Sequence, residues 1–311
     1  MSKLGVVANA RSWKNRGAGP TPPKASDLIF EAPGSPADYP EVMRRFAESG
    51  VTTVAIDGGD GTLRDVLTAM ADAYPDGMPA VALAPSGKTN VAAADVGGVR
   101  RGADRFERLL TLHRSGAAAQ GVVRRPIEIS FDDRRLLGFV FGLGAFEKAT
   151  GLVDARVHNA GFAQKLGVAL GVIVSGAAAI GGKDKEVWRR GAPISIAIDG
   201  GPSHAHDSFA VLATSLKRWV LGLWPFWGAG DGAIALTEVD APPRRLALGL
   251  ATAGIGRPRP WAESEGWRSV RADSVTLALS EAFIIDGDRF MPGPDGAVAL
   301  RAGPPVTFIR P

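Results

Sequence analysis

The stretch Gly58-Gly59-Asp60-Gly61-Thr62 constrains this chain more than any other. The apolar run 51–56 leads into it and the amphipathic run 63–70 leaves it, so it reads as strand, glycine turn and helix. Glycine lets the backbone take positive φ and come close to a ligand. The helix that follows aims its unpaired N–H groups and the positive end of its dipole at the turn, an arrangement that binds phosphate. Asp60 sits awkwardly there, because a carboxylate beside a phosphate needs a metal ion or a proton donor between them, and kinase chemistry supplies both. Taken alone, the turn equally suits a tight strand-to-helix connection.

Periodicity organises the rest of the chain. Apolar strands at 4–8, 28–30, 53–56 and 80–84 alternate with helical stretches at 39–49, 63–74 and 103–115, the pattern of a parallel α/β sheet. After Val122 the chain changes to short alternating runs at 126–131, 136–143, 194–198, 209–213, 233–239 and 274–279, which read as antiparallel strands of a β-sandwich. Two domains are expected, residues 1–121 and 122–296, and a length of 311 residues with 45% hydrophobic content is enough to bury two cores.

Further turns follow the same logic. Asn9-Ala10-Arg11-Ser12 follows the first strand, Pro85-Ser86-Gly87-Lys88-Thr89-Asn90 follows the strand at 80–84, and Asp231-Gly232 and Ile285-Asp286-Gly287-Asp288 lie in the second half. In this order, together with Gly58 to Thr62 and the strand and turn at 138–145, they resemble the diacylglycerol kinase catalytic family, which includes bacterial soluble lipid kinases and the sphingosine and ceramide kinases. The resemblance implies a Rossmann-like nucleotide domain, similar to those of phosphofructokinase and NAD kinases, a β-sandwich lipid-substrate domain, and a return of residues 297–311 to the first domain. It also implies ATP and Mg2+ or another divalent cation. Three departures stand out: Trp13 replaces a glycine of the first loop, Lys88 a threonine, and Asp288 a glutamate.

Phosphoryl transfer needs a phosphate cradle, charge neutralisation and a group that accepts the hydroxyl proton. Carried over residue by residue, the resemblance assigns Gly58, Gly59, Asp60, Gly61 and Thr62 to the cradle. Asn9, Ser12, Gly87, Lys88 and Asn90 complete the nucleotide site, and Asp231 is the metal ligand. Asp288 becomes the base, with Asp60 and Asp286 holding the reacting geometry. An ammonium at Lys88 suits direct pairing with a β- or γ-phosphate, and it equally suits solvent. Asp231, Asp286 and Asp288 also fit ordinary hairpin turns. His204 and His206, with Asp207, have the alternate spacing of a metal pair, yet exposed imidazoles are more often unliganded.

Composition narrows the partners. Zero cysteines exclude disulfides and thiolate metal sites, and the N-terminus opens on a strand in place of a signal peptide, so a cytoplasmic protein at the inner membrane face is expected. A net charge of +4 spread over scattered arginine pairs suits an anionic membrane surface better than nucleic acid, which wants a denser patch with interleaved aromatics. A homodimer is left open. The apolar stretch 166–182 is short for a membrane span and is expected as a buried helix. Residues 219–227, which hold Trp219, Trp224, Phe226 and Trp227 beside Lys217 and Arg218, fit either a membrane-interface anchor or core. The leading reading is an ATP-dependent lipid kinase acting on diacylglycerol or a ceramide-type lipid. The alternatives are a soluble-substrate kinase resembling NAD kinases and a lipid-binding regulator whose nucleotide site has decayed.

Overall fold

The computed structural model describes residues 2–12, 15, 22–148, 185–219 and 222–311. The expected helix at 166–182 and Trp13 lie outside the described residues. The chain divides into two compact units, residues 1–126 with 304–311, and residues 127–303.

The first unit alternates β1 (Lys3–Ala8), β2 (Leu28–Glu31), α1 (Tyr39–Glu48), β3 (Val51–Gly58), α2 (Asp60–Ala73), β4 (Ala80–Pro85), α3 (Val91–Val96), α4 (Arg105–Arg114) and β5 (Val122–Arg124), and β17 (Val306–Ile309) rejoins it. Its sheet runs β2-β1-β3-β4-β17-β5, parallel except where β17 meets β5. Strands such as β1 are buried along nearly their whole length, and a parallel strand covered by helices on both faces therefore reads as a continuous apolar run. In α2, Leu63, Val66, Leu67 and Met70 recur at helical spacing and are all buried, as are Tyr39, Val42, Met43 and Phe46 of α1.

The second unit comprises β6 (Ile127–Phe131), β7 (Arg134–Gly138), β8 (Val140–Gly144), α5 (Lys185–Arg189), β9 (Ala192–Ile198), β10 (His204–Thr214), β11 (Ile234–Asp240), α6 (Leu246–Ala253), β12 (Trp267–Ala272), β13 (Ser274–Leu279), β14 (Phe283–Ile285), β15 (Asp288–Phe290) and β16 (Ala297–Ala302). All its strand pairs are antiparallel. The sheet curls over the larger of the unit's two hydrophobic clusters among the described residues: Phe131 of β6 meets Phe283 of β14 and Phe290 of β15 edge-on at 5.0 and 5.6 Å, although these strands stand near opposite ends of the sheet order.

Some boundaries differ from those expected. Residues 122–124 pair with β17 in the first sheet, and the return to that sheet begins after residue 303, because Val298 and Leu300 of β16 are fully buried in the second core. The run 136–143 breaks at Phe139 into β7 and β8. The aromatic segment packs onto the second unit. Trp219 and Phe226 are buried with ring centroids 5.6 Å apart, Trp224 and Trp227 are half-buried, and the Ser269 hydroxyl accepts from the Trp227 and Gly228 amides at 3.1 Å.

Candidate active site

Strand β3 runs through Gly58, Gly59 is the N-cap of α2, and the helix begins at Asp60. No side chain caps that helix, so its first amides are left for an exogenous acceptor. At the end of the adjacent strand β4, Ser86 donates its amide to the Gly58 carbonyl at 2.9 Å. The two turns interlock backbone to backbone: a Cβ on Gly87 would sit 2.5 Å from the Gly59 Cα, and one on Gly59 would sit 3.0 Å from the Gly87 Cα. Close approach is therefore what requires glycine at both positions. Asn90, at φ +53°, closes the second turn by accepting from the Gly87 amide and donating to the Gly87 carbonyl, both at 2.9 Å.

The structure resolves the awkwardness of Asp60. Its carboxylate accepts from the amides of Val91 at 3.0 Å and Ala92 at 3.1 Å and from the Thr89 hydroxyl at 3.1 Å, so it caps α3 and ties the two turns together. Burial pushes this carboxyl above its usual pKa range, while the amides and the Thr89 hydroxyl pull the other way.

Asn9 joins the first loop to the same assembly. Its amide nitrogen donates to Thr62 Oγ1 at 2.8 Å and its side-chain oxygen accepts from the Arg11 amide at 2.9 Å. Ser12 is buried, and its amide donates to the Asn9 carbonyl at 3.0 Å. Lys88 is exposed at the tip of the second turn.

Beneath these loops lies a network that sequence reasoning missed. Asp57 is fully buried and accepts from Arg105 Nε at 2.9 Å and from Asn15 Nδ2 at 3.0 Å. Asn15 also donates to the Asn9 carbonyl at 3.1 Å and the Ser86 hydroxyl at 3.3 Å, and Arg105 lies over the Phe106 ring at 4.4 Å. An aspartate inside an apolar strand was the available signal, since a buried carboxylate requires partners. The space enclosed by Ile56, Gly58, Gly59, Leu83 and Asn90 is about 10 Å³, no more than one water. The inner side of the turns therefore has no room for a ligand larger than water.

In the second unit, Asp286 and Gly287 form the two-residue turn between β14 and β15, both at positive φ. The Asp286 carboxylate accepts from the amides of Phe139 at 3.0 Å and Val140 at 2.9 Å, and its own amide donates to the Val140 carbonyl at 3.0 Å. It thus holds the hairpin against the β7–β8 corner. Asp288 is exposed at the start of β15.

Asp231 is exposed in the turn before β11, and no group of three His, Cys, Asp or Glu side chains able to hold a metal ion occurs among the described residues. His204 and His206 lie on β10, not on a loop. His206 Nε2 is hydrogen-bonded to Glu238 at 2.6 Å, and Arg268 bridges Glu238 and Asp240, so the imidazole is engaged with this cluster.

Comparison with known proteins places this geometry. Residues 21–119 match the diacylglycerol kinase catalytic domain family model. The lipid kinase YegS of Escherichia coli (strain K12) is 42% identical over 64 residues, a match spanning 21% of this chain and only 20% of that protein. Two solved structures from Bacillus anthracis str. Sterne align over 100% of this chain. One, a diacylglycerol kinase, has a TM-score of 0.62 at 15% identity over 97% of its length; the other has 0.66 at 16% identity over 95%. Those structures bear out the two-part fold, α/β followed by antiparallel β. The matched segment contains both interlocked glycine turns, whereas Asn9, Ser12, Asp231, Asp286 and Asp288 lie outside it. Residues 21–119 are thus similar to the diacylglycerol kinase catalytic domain, and the chain shares the two-part fold of those solved structures.

Proposed function

We propose that this chain is an ATP-dependent lipid kinase that transfers the γ-phosphoryl group to the primary hydroxyl of a membrane lipid, diacylglycerol or a ceramide-type lipid. The observation that carries the reading is the uncapped N-terminus of α2 behind two interlocked glycine turns, within the segment that matches the kinase domain. The amides of Gly61 and Thr62 and the exposed ammonium of Lys88 hold the nucleotide phosphates. Asp60, Asn9 and Asn90 keep the loops in place. The lipid hydroxyl oxygen attacks the γ-phosphorus, the bond to the β-phosphate oxygen breaks, ADP leaves with that electron pair, and a carboxylate takes the hydroxyl proton, the role that the family resemblance gives to Asp288. A divalent ion bound with the nucleotide would offset the charge on the phosphates.

The burial of Trp219 and Phe226 removes one objection to a soluble-substrate kinase, because the aromatic segment no longer calls for a lipid role. The likeness to YegS keeps the lipid reading ahead. ATP turnover measured with vesicles containing diacylglycerol, ceramide or neither decides. Stimulation by one lipid is the expected result, and equal turnover with all three vesicle types overturns the reading.

A further inference from the structure

Large hydrophobic side chains exposed among the described residues are few: Val123, Leu248, Ile255 and Met291. Leu248 and Ile255, 43% and 54% exposed, lie on and just beyond α6. Residues 246–256 carry no charge, and arginines bracket them on both sides, Arg244 and Arg245 before, Arg257 and Arg259 after. The inner face of α6 is accounted for: Leu246, Gly249 and Ala253 are buried against Trp267 and Ala262, and the Trp267 ring leaves no room for a side chain at Gly249. The outer face carries Ala247, Leu248 and Ala251, where a surface helix ordinarily carries polar residues. Trp224 supports the far end, donating its amide to the Gly254 carbonyl at 2.7 Å.

Charge identifies the occupant. Arg244 and Arg245 share Glu265, at 3.7 and 3.2 Å, while Arg257 and Arg259 are exposed and make no ion pair among the described residues. An uncharged, outward-facing apolar face with cations at both ends complements a bilayer of anionic lipid, where apolar side chains enter the acyl boundary and arginines meet headgroup phosphates. We propose that α6 and Ile255, with their flanking arginines, form the surface on which this chain docks to an anionic phospholipid membrane. The inference rests on the lipid-kinase reading and names the face by which that kinase reaches its acceptor. The helix is about 12 Å long, so docking is shallow and reversible.

The test is co-sedimentation of the full chain with phosphatidylcholine vesicles, with and without phosphatidylglycerol. The proteins are wild type, Leu248→Asp with Ile255→Asp, and Arg257→Gln with Arg259→Gln, each also melted thermally. Wild type should bind the anionic vesicles and release as salt rises. The apolar double variant should lose about tenfold or more in binding. The arginine variant should lose about fivefold per charge on anionic vesicles only, with both variants melting like wild type. Binding of the apolar variant equal to wild type overturns the proposal. So does an oligomer that this variant dissociates while vesicle binding is unchanged, which would assign the face to a second copy. Turnover on a short-chain, detergent-dispersed lipid separates the two readings: if no lipid is phosphorylated yet vesicle binding still depends on Leu248 and Ile255, the docking surface stands and the kinase assignment falls.

Discussion

Each unit ties down a glycine-containing turn with one aspartate. In the first, Asp60 is spent on the amides of Val91 and Ala92; in the second, Asp286 is spent on those of Phe139 and Val140. Each sits in a glycine-containing turn and ties that turn to another element of its own unit. Asp288 and Asp231 are exposed instead. Acidic residues that look alike in a motif therefore differ in their surroundings: Asp60 and Asp286 hold backbone amides of another element, whereas Asp231 and Asp288 reach the surface. The units differ in what lies beneath. The first supports its loops on the buried Asp57, Arg105 and Asn15 network, whereas the second fixes its hairpin through the Asp286 turn and apolar packing.

Removing that network should have the largest effect. Asp57→Ala leaves Arg105 with its partner gone, and breaking a buried pair costs about 3–5 kcal/mol. Urea unfolding should show a loss of this size; a loss below about 1 kcal/mol, the level of an exposed pair, would show that the two units are held alike. Next, Asp288→Asn should lower turnover by about a hundredfold or more, with melting temperature and ATP affinity unchanged. Near-normal turnover would remove Asp288 from the proposed proton transfer.

Asp60→Asn and Asp286→Asn each turn an NH2 group toward backbone donors and should cost about 1–3 kcal/mol of stability. If either lowers turnover at constant stability, the aspartate reacts as well as builds. Gly59→Val forces its side chain into Gly87, an overpacking cost of about 1–3 kcal/mol, so ATP affinity and stability should fall together. Titration calorimetry beside a melt checks the pair, and intact affinity in a stable variant would remove the turns from the nucleotide site. The smallest effect is expected from Asp231→Asn, within about 0.5 kcal/mol in stability. A drop in turnover that added magnesium restores would return Asp231 to a metal role.

Much of the fold was legible in the sequence because it follows short-range rules. The parallel strands of the first unit are apolar runs buried on both faces. The helices α1 and α2 repeat apolar residues every three to four positions, and the Asp286-Gly287 turn needs the positive φ that aspartate and glycine tolerate. The glycines of the two turns could be picked out for the same reason. The break at Phe139 was hidden, since both halves of the run 136–143 are apolar and the groups that hold the corner are distant in sequence: the Asp286 carboxylate, 147 residues away, and the Thr214 hydroxyl, 75 away.

Sequence by itself determined the order of strands, helices and glycine turns along the chain, because these depend on backbone sterics and periodicity within a few residues. Only the tertiary structure decided what the side chains in those turns do. Asp60 reaches amides 31 and 32 residues away, and Asn15 reaches Asp57 across 42. Likewise, Trp219 and Phe226 became core while Leu248 and Ile255 stayed exposed, although all four are equally apolar. The physical reason is common to both: a carboxylate satisfied by amides and an aromatic ring shielded from water depend on groups brought by distant parts of the chain, and no local pattern specifies which groups those are.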